Sequence, residues 1–163
     1  MIHLEKALWI LLDEQFALKM SKCLSAQNQV EYLGHVVSSR GVEPIGSKIQ
    51  AIQQWPIPLS TRALRSFLGL AGFYQCFIRG YASIAAPLNH LMTKDSFVWS
   101  LTAQQAFDML KEALTMAPVL LLPNFSLPFT LETNVSEVGM GAVLSQNGHP
   151  ITFFSKLFSP KVL

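Results

Sequence analysis

Asn134 decides most about the chemistry open to this chain. It closes an apolar-alternating strand, Phe129-Thr130-Leu131-Glu132-Thr133-Asn134, where a carboxylate at the strand end would be a candidate cation ligand and the amide is not. Magnesium favours anionic oxygen ligands, and an asparagine amide offers a neutral one. The acids nearby do not replace it. Glu132 alternates to the face opposite Thr133 and Glu137 falls in the turn that follows, so both read as surface residues. No Asp-Asp pair occurs anywhere, and the only adjacent acids, Asp13-Glu14, read as a solvated helix end. His3, His35, His90 and His149 are scattered at no metal-ligand spacing. Cys23 and Cys76 are most simply reduced, buried thiols.

The elements around Asn134 follow from periodicity and turn chemistry. After Val135-Ser136-Glu137-Val138 comes a small-residue strand from Gly139 to Gln146, then the turn pair Asn147-Gly148, then Pro150 to Ser155. That pattern predicts three consecutive antiparallel strands. At the other end, Leu4, Leu8, Leu11 and Leu12 recur at helical spacing and predict an amphipathic helix over His3 to Glu14, with Glu5, Lys6 and Asp13 outward. Short extended pieces are expected over Phe16 to Lys22 and Val30 to Ser38, with Arg40-Gly41 turning into Val42-Glu43-Pro44.

Between them lies a helical region that is basic throughout. From Pro44 to Lys94 the chain carries Lys48, Arg62, Arg65, Arg79 and Lys94 and no acid, although the whole chain is formally only +2. Such a concentration is the electrostatic footprint of phosphate contact. One helix is expected from Lys48 to Trp55, ended by Pro56 and Pro58, and another after the cap candidates Ser60 and Thr61. On the latter, Leu64, Phe67, Leu68, Ala71, Tyr74, Gln75 and Ile78 share an inward face, while Arg62, Arg65, Gly69, Gly72, Cys76 and Arg79 share an adjoining one. Side-chain-free positions between arginines make a shallow track for a nucleic-acid backbone, with Phe73 at its margin to rest against sugars or bases. The same glycines would equally serve close helix packing, and the arginines a solvated face. Gly80 interrupts the pattern, Ser83 to Met92 continue it, and Thr102 with Gln105 forms a capping-box signature for a last helix reaching about Met116, with Trp99 a core anchor before it.

Six ordered blocks then carry a family resemblance, Val30 to Ser38, Trp55-Pro56-Ile57-Pro58, Leu64 to Tyr74, Phe77-Ile78, Ala85-Ala86-Pro87-Leu88 and Ala117-Pro118-Val119-Leu120, and the strands around Thr133-Asn134-Val135-Ser136 add to it. Together they resemble, over essentially the whole chain, the reverse transcriptase and the opening of the ribonuclease H domain of gypsy-type long-terminal-repeat retrotransposons. That family typically shows Thr-Asp-Ala-Ser where this chain has Thr133-Asn134-Val135-Ser136. The resemblance implies an α+β chain in three parts: residues 1–45, the end of the polymerase palm, with a helix and an antiparallel hairpin; 46–117, a helical thumb bundle; and 118–163, the first three antiparallel strands of a ribonuclease H-like fold. It implies a hairpin gripping the primer terminus at Tyr32, Leu33, Gly34 and His35, and a thumb helix in the minor groove of template-primer duplex, contacting it through Arg62, Arg65, Gly69, Phe73 and Arg79. Taken without the family, Gly34 would mark a bulge and Tyr32 and Leu33 would be core. The family's Tyr-x-Asp-Asp motif is absent here, and Asn134 is a degenerate form of the first nuclease carboxylate.

The expected function is therefore that of a reverse transcriptase/ribonuclease H fragment without catalytic activity of its own, or alternatively a non-catalytic nucleic-acid or protein interaction module. Magnesium belongs to the intact family enzyme, and no bound cofactor is expected in this chain. The expected partners are RNA–DNA hybrid or duplex nucleic acid and the remainder of the Pol polyprotein. Hydrophobic residues make up 50% and charged residues 13% of the chain, against about 25% charged in ordinary soluble domains, so part of the surface expects a covering partner. No apolar run approaches the roughly 20 residues that span a bilayer. With Glu5, Lys6, Asp13 and Glu14 interrupting the N-terminal segment, an intracellular setting without membrane contact is expected.

Overall fold

The computed structural model describes residues 2–93, 96–137 and 139–158; Met1, Lys94, Asp95, Val138 and the segment from 159 onward lie outside the described residues. The chain runs α1 (Ile2–Asp13), β1 (Gln29–Tyr32), β2 (His35–Ser38), β3 (Gly41–Pro44), α2 (Gly46–Gln53), α3 (Thr61–Phe73), α4 (Tyr81–Met92), α5 (Leu101–Thr115), β4 (Thr130–Val135), β5 (Gly139–Gln146) and β6 (His149–Leu157). The α+β class holds, with two three-stranded antiparallel sheets ordered β1-β2-β3 and β4-β5-β6 on either side of the helices in sequence. Where a single hairpin was expected near Tyr32, Val42 to Pro44 pair with β2 and complete a three-stranded meander.

The core belongs to α2 through α5. Ser60 caps α3 by accepting from the Ala63 amide at 3.2 Å, which satisfies one of the free donors of the first turn. Leu64, Phe67, Leu68 and Ala71 are buried as their spacing predicts, followed by Tyr74 and Ile78, whereas Gln75 is exposed. The reason for the Gln75 error is that α3 stops at Phe73 and a 3-10 turn, Gln75–Phe77, takes over, which rotates later side chains relative to α-helical spacing. Phe67 sits at the centre, its ring 4.5 Å from Phe107 and 5.9 Å from Trp55. Trp99 is half-buried 5.7 Å from Phe107 and donates its indole N–H to Gln104. The last helix begins two residues earlier than its capping-box signature: Ser100, not Thr102, accepts from the Ala103 amide, and Thr102 bonds the Ser100 hydroxyl. Likewise α2 ends at Gln53, leaving Trp55 in the turn ahead of Pro56.

A backbone bridge fastens the first sheet to this core, and a side-chain clasp secures the second. Val42 and Leu120 exchange N–H to O bonds of 2.8 Å in both directions. Gly41, beside that bridge, has φ +133, and a Cβ there would collide with the Leu120 carbonyl oxygen. Gly41→Ala is accordingly expected to lose about 1–3 kcal/mol, read as a lowered urea midpoint at unchanged slope. An unchanged midpoint would mean that the bridge is dispensable. Gln146 is fully buried, and its side chain accepts from the Asn124 amide while donating to the Asn124 and Leu127 carbonyls. This clasp ties the loop before β4 to the end of β5, where the register shifts between Leu144 and Ser145. The Asn147-Gly148 turn is present as the dipeptide predicts, with φ 49 and 76.

Helix α1 departs from expectation. None of its described side chains is buried; Leu8, Trp9, Ile10 and Leu12 are all exposed. The segment Phe16 to Lys22 is not extended but carries a 3-10 turn at Met20–Lys22. No described helix is long and apolar enough to cross a membrane.

Candidate nucleic-acid interface

Two features separate in the sequence, the Tyr32 to His35 turn and the α3 helix, meet in space. Leu33 and Gly34 both have positive φ, 46 and 80, as a two-residue turn joining right-twisted strands requires. Gly34 is thus a hairpin turn and not a bulge, and Tyr32 and Leu33, 63% and 72% exposed, are not core. The close approach that the glycine allows is made by the protein itself, since a Cβ at Gly34 would lie 2.8 Å from the tip of the Phe73 ring. Tyr74 donates its hydroxyl to the Gly34 carbonyl at 2.8 Å. Burial pushes this phenol above its ordinary value, a backbone hydrogen bond from Ile45 opposes the rise, and the Glu31 carboxylate, the least of the three, adds to it, so it remains a protonated donor at neutral pH.

His35 lies against the same aromatic group. Its ring stacks at 5.1 Å on Phe73 and 5.6 Å on Phe77, and meets Tyr74 edge-on. One ring nitrogen is also 2.9 Å from the Leu33 carbonyl. His35 therefore docks the hairpin on the end of α3, and the exposed tip is left to Tyr32 and Leu33. Sequence reasoning missed Tyr74 and Phe77 as supports of the turn: each carries the ordinary signature of a core aromatic, and nothing local identifies its partner some 40 residues upstream.

From that tip an open edge runs back along α3. Arg62, Arg65, Gly69 and Phe73 are all exposed, at spacings of three and four residues that keep them on one side of the helix over about 16 Å. A Cβ at Gly69 would meet nothing within 4 Å, so this glycine is a gap in the surface and not a packing contact. Gly72 differs, since a Cβ there would crowd the Tyr81 hydroxyl at 3.3 Å. Arg62 and Arg65 form no ion pair among the described residues. Arg79 does not belong to this edge. It follows the 3-10 turn beyond α3, and its guanidinium lies 3.9 Å from Glu132 on β4. Cys76 is half-buried, and burial raises its thiol above the ordinary value; Cys23, expected inside, is exposed on the irregular segment after α1, where no core forms.

Asn134 lines a second feature, a cleft of about 420 Å³ between the β4-β5-β6 sheet and the start of α4. The pairing register sets Asn134 opposite Gly141, and Gly141 opposite Ser155. Ser155 caps α4, its hydroxyl accepting from the Ala82 amide at 2.9 Å. Glu132, two residues before Asn134 on the same strand, shares its face by alternation. The donors here do not fit a magnesium site: the amide of Asn134 is neutral, the Glu132 carboxylate is turned to Arg79, and no group of three or more His, Cys, Asp or Glu able to hold a metal occurs among the described residues. No step through a metal follows from this arrangement.

Comparison with known proteins agrees with this architecture. The RNase H-like domain found in reverse transcriptase matches residues 99–162. The chain is 40% identical over 148 residues to the retrovirus-related Pol polyprotein from transposon 297 of Drosophila melanogaster, covering 90% of this chain and 14% of that protein. It is 36% identical to the corresponding polyprotein from transposon gypsy, also of Drosophila melanogaster, covering 94% of this chain and 16% of that protein. An uncharacterized mitochondrial protein of Arabidopsis thaliana is 43% identical over 131 residues, with 79% of this chain and 83% of that protein covered. Among solved structures, the foamy viral protease-reverse transcriptase superposes with a TM-score of 0.82 in complexes with double-stranded DNA and with RNA/DNA hybrid, at 23% and 24% identity. Each superposition covers 96% of this chain and 29% or 22% of the viral one, and at that identity the likeness is one of fold.

Proposed function

Since this chain belongs to the reverse transcriptase/ribonuclease H family of retrotransposon Pol polyproteins and spans only about a seventh of the length of the Drosophila relatives it matches, we propose that it is a non-catalytic segment of such a protein that holds duplex nucleic acid. In this reading residues 1–45 are the end of the palm, 46–117 the thumb and 118–163 the opening of the ribonuclease H-like domain. The observation that carries the reading is the continuous open edge Arg62-Arg65-Gly69-Phe73, which leads to the exposed hairpin tip at Tyr32 and Leu33. Two unpaired guanidinium groups one turn apart suit successive phosphates, the gap at Gly69 admits a backbone, and Phe73 with the tip offers apolar contact to sugars. The foamy viral protease-reverse transcriptase has this fold and was solved with double-stranded DNA and with RNA/DNA hybrid, which supports assigning the same ligand class here. The exposed apolar side chains of α1, Leu8, Trp9, Ile10 and Leu12, support the remainder of the polyprotein as a further partner.

The test is a fluorescence-anisotropy salt titration with a short RNA–DNA hybrid. Phosphate contact releases counterions at about 0.9 per phosphate, so Arg62 and Arg65 with any contribution from Arg79 give a logarithmic salt slope of roughly −2 to −3. Replacing Arg62 and Arg65 together by Ala is expected to reduce the slope by about one to two units without loss of helix content, because neither touches the core. Equal slopes would show that the two arginines are only a solvated face.

A further inference from the structure

We propose that the cleft around Asn134 is a metal-independent phosphate site, formed by the Asn134 amide, the Arg79 guanidinium and the Ser83 hydroxyl. All three line the same 420 Å³ opening, and neither the Asn134 nor the Ser83 side chain hydrogen-bonds a described residue, so their donors remain available. The floor is bare where it must admit a ligand: Gly141 lies opposite Asn134 in the sheet register, and a Cβ there would approach only the Phe154 carbonyl oxygen, at 3.7 Å. The neighbouring donors that have other work are excluded, since Ser155 is engaged with the Ala82 amide and Ser136 donates to the Gly139 carbonyl. Arg79 faces Glu132 at 3.9 Å with both side chains largely in solvent, a loose pair from which an arriving phosphate can draw the guanidinium.

The sign of the effect rests on position 134. An aspartate there would meet a phosphate as a like charge unless a cation stood between them, whereas an asparagine removes the repulsion and contributes two N–H donors. The residue that is unsuited to holding magnesium is thus suited to direct contact with the anion. The proposal takes the phosphate to be part of a nucleic-acid backbone, and in that respect it rests on the function proposed above.

Two titrations in EDTA separate the two claims. Inorganic phosphate added to isotopically labelled protein is expected to shift the NMR signals of the Asn134 side-chain amide and of the Ser83 and Gly141 backbone amides. Phosphate affinity is expected to fall about fivefold in Asn134→Asp and in Arg79→Ala, the scale of one hydrogen bond lost at an exposed site, and to rise about twofold in Glu132→Gln, where the competing carboxylate is gone. Because all three positions are exposed, these variants retain the fold, which circular dichroism verifies. With a short RNA–DNA hybrid, Asn134→Asp is expected to bind about fivefold more weakly than the original chain in EDTA. Signals at these groups that stay in place with phosphate overturn the proposal, whatever the hybrid does. Phosphate shifts together with equal hybrid affinity for Asn134→Asp overturn it for a nucleic-acid backbone. Phosphate shifts with no hybrid binding by the original chain leave the site standing and remove the nucleic-acid function instead.

Discussion

Supplied with a labelled RNA–DNA hybrid and either magnesium or manganese, the isolated chain is expected to release no product above a mock preparation, and Asn134→Asp is expected to be equally silent. A two-metal hydrolysis needs several carboxylates to hold the ions and neutralise charge on the scissile phosphate. Around Asn134 the described residues offer Glu132, already turned to Arg79, and no cluster of three acidic, histidine or cysteine ligands. One restored aspartate leaves that set incomplete. Placed in a full-length Pol polyprotein that supplies the remaining acids, the same change is expected to raise cleavage at least a hundredfold, since even an outer hydrogen-bond partner of a metal ligand is worth about 10–100-fold. Hybrid cleavage by the isolated chain, or equal activity of the asparagine and aspartate forms in the full-length protein, would sink this account of Asn134.

Phe67→Ala is expected to cost about 3–5 kcal/mol, the usual loss for a buried phenylalanine. Its side chain is fully buried and packs against both Trp55 and Phe107, so truncation opens a void among these rings that the rigid core closes poorly. For a domain whose total stability is about 5–15 kcal/mol, this removes a large share of the folded population at 37 °C. Urea denaturation followed by circular dichroism reads it directly. Leu59→Ala is the control: Leu59 is 88% exposed and its loss is expected to stay within about 0.5 kcal/mol. A Phe67→Ala midpoint as close to the original as that control would mean that the helical core is organised differently.

What could be read from the sequence and what could not divides along a physical line. Local rules worked where the determinant is local. The Asn147-Gly148 turn, the Ser60 cap and the inward positions of Leu64, Phe67 and Ala71 each depend on a few adjacent residues or on helical repeat alone. They failed where a change of helix type or an absent partner decides. Gln75 was carried onto the inward face because the shift from α-helix to 3-10 turn after Phe73 leaves no mark in the hydrophobic pattern. The helix α1 forms where the leucine spacing puts it, but no described side chain of it is buried, because the inward face that the periodicity implies has no partner among the described residues.

The candidate interface shows the same division. Arg62, Arg65, Gly69 and Phe73 could be placed on one edge from helical spacing, and their exposure agrees with it. The docking of the hairpin on that edge, through the Tyr74 hydroxyl and the His35 stack, depends on residues some 40 positions apart and has no local signature. Arg79 was grouped with the other arginines by continuing one helix too far, and its pairing with Glu132 links two elements that the sequence gives no reason to join.

NMR mapping of the hybrid footprint tests the central claim most directly. With a short RNA–DNA hybrid at low salt, the largest amide shifts are expected at Leu33, Gly34, Arg62, Arg65, Gly69 and Phe73, fading as salt is raised, while the outer face of α5 stays unmoved. Shifts centred elsewhere and insensitive to salt, or none at all where the protein is folded and the hybrid intact, would contradict the claim that this edge holds nucleic acid.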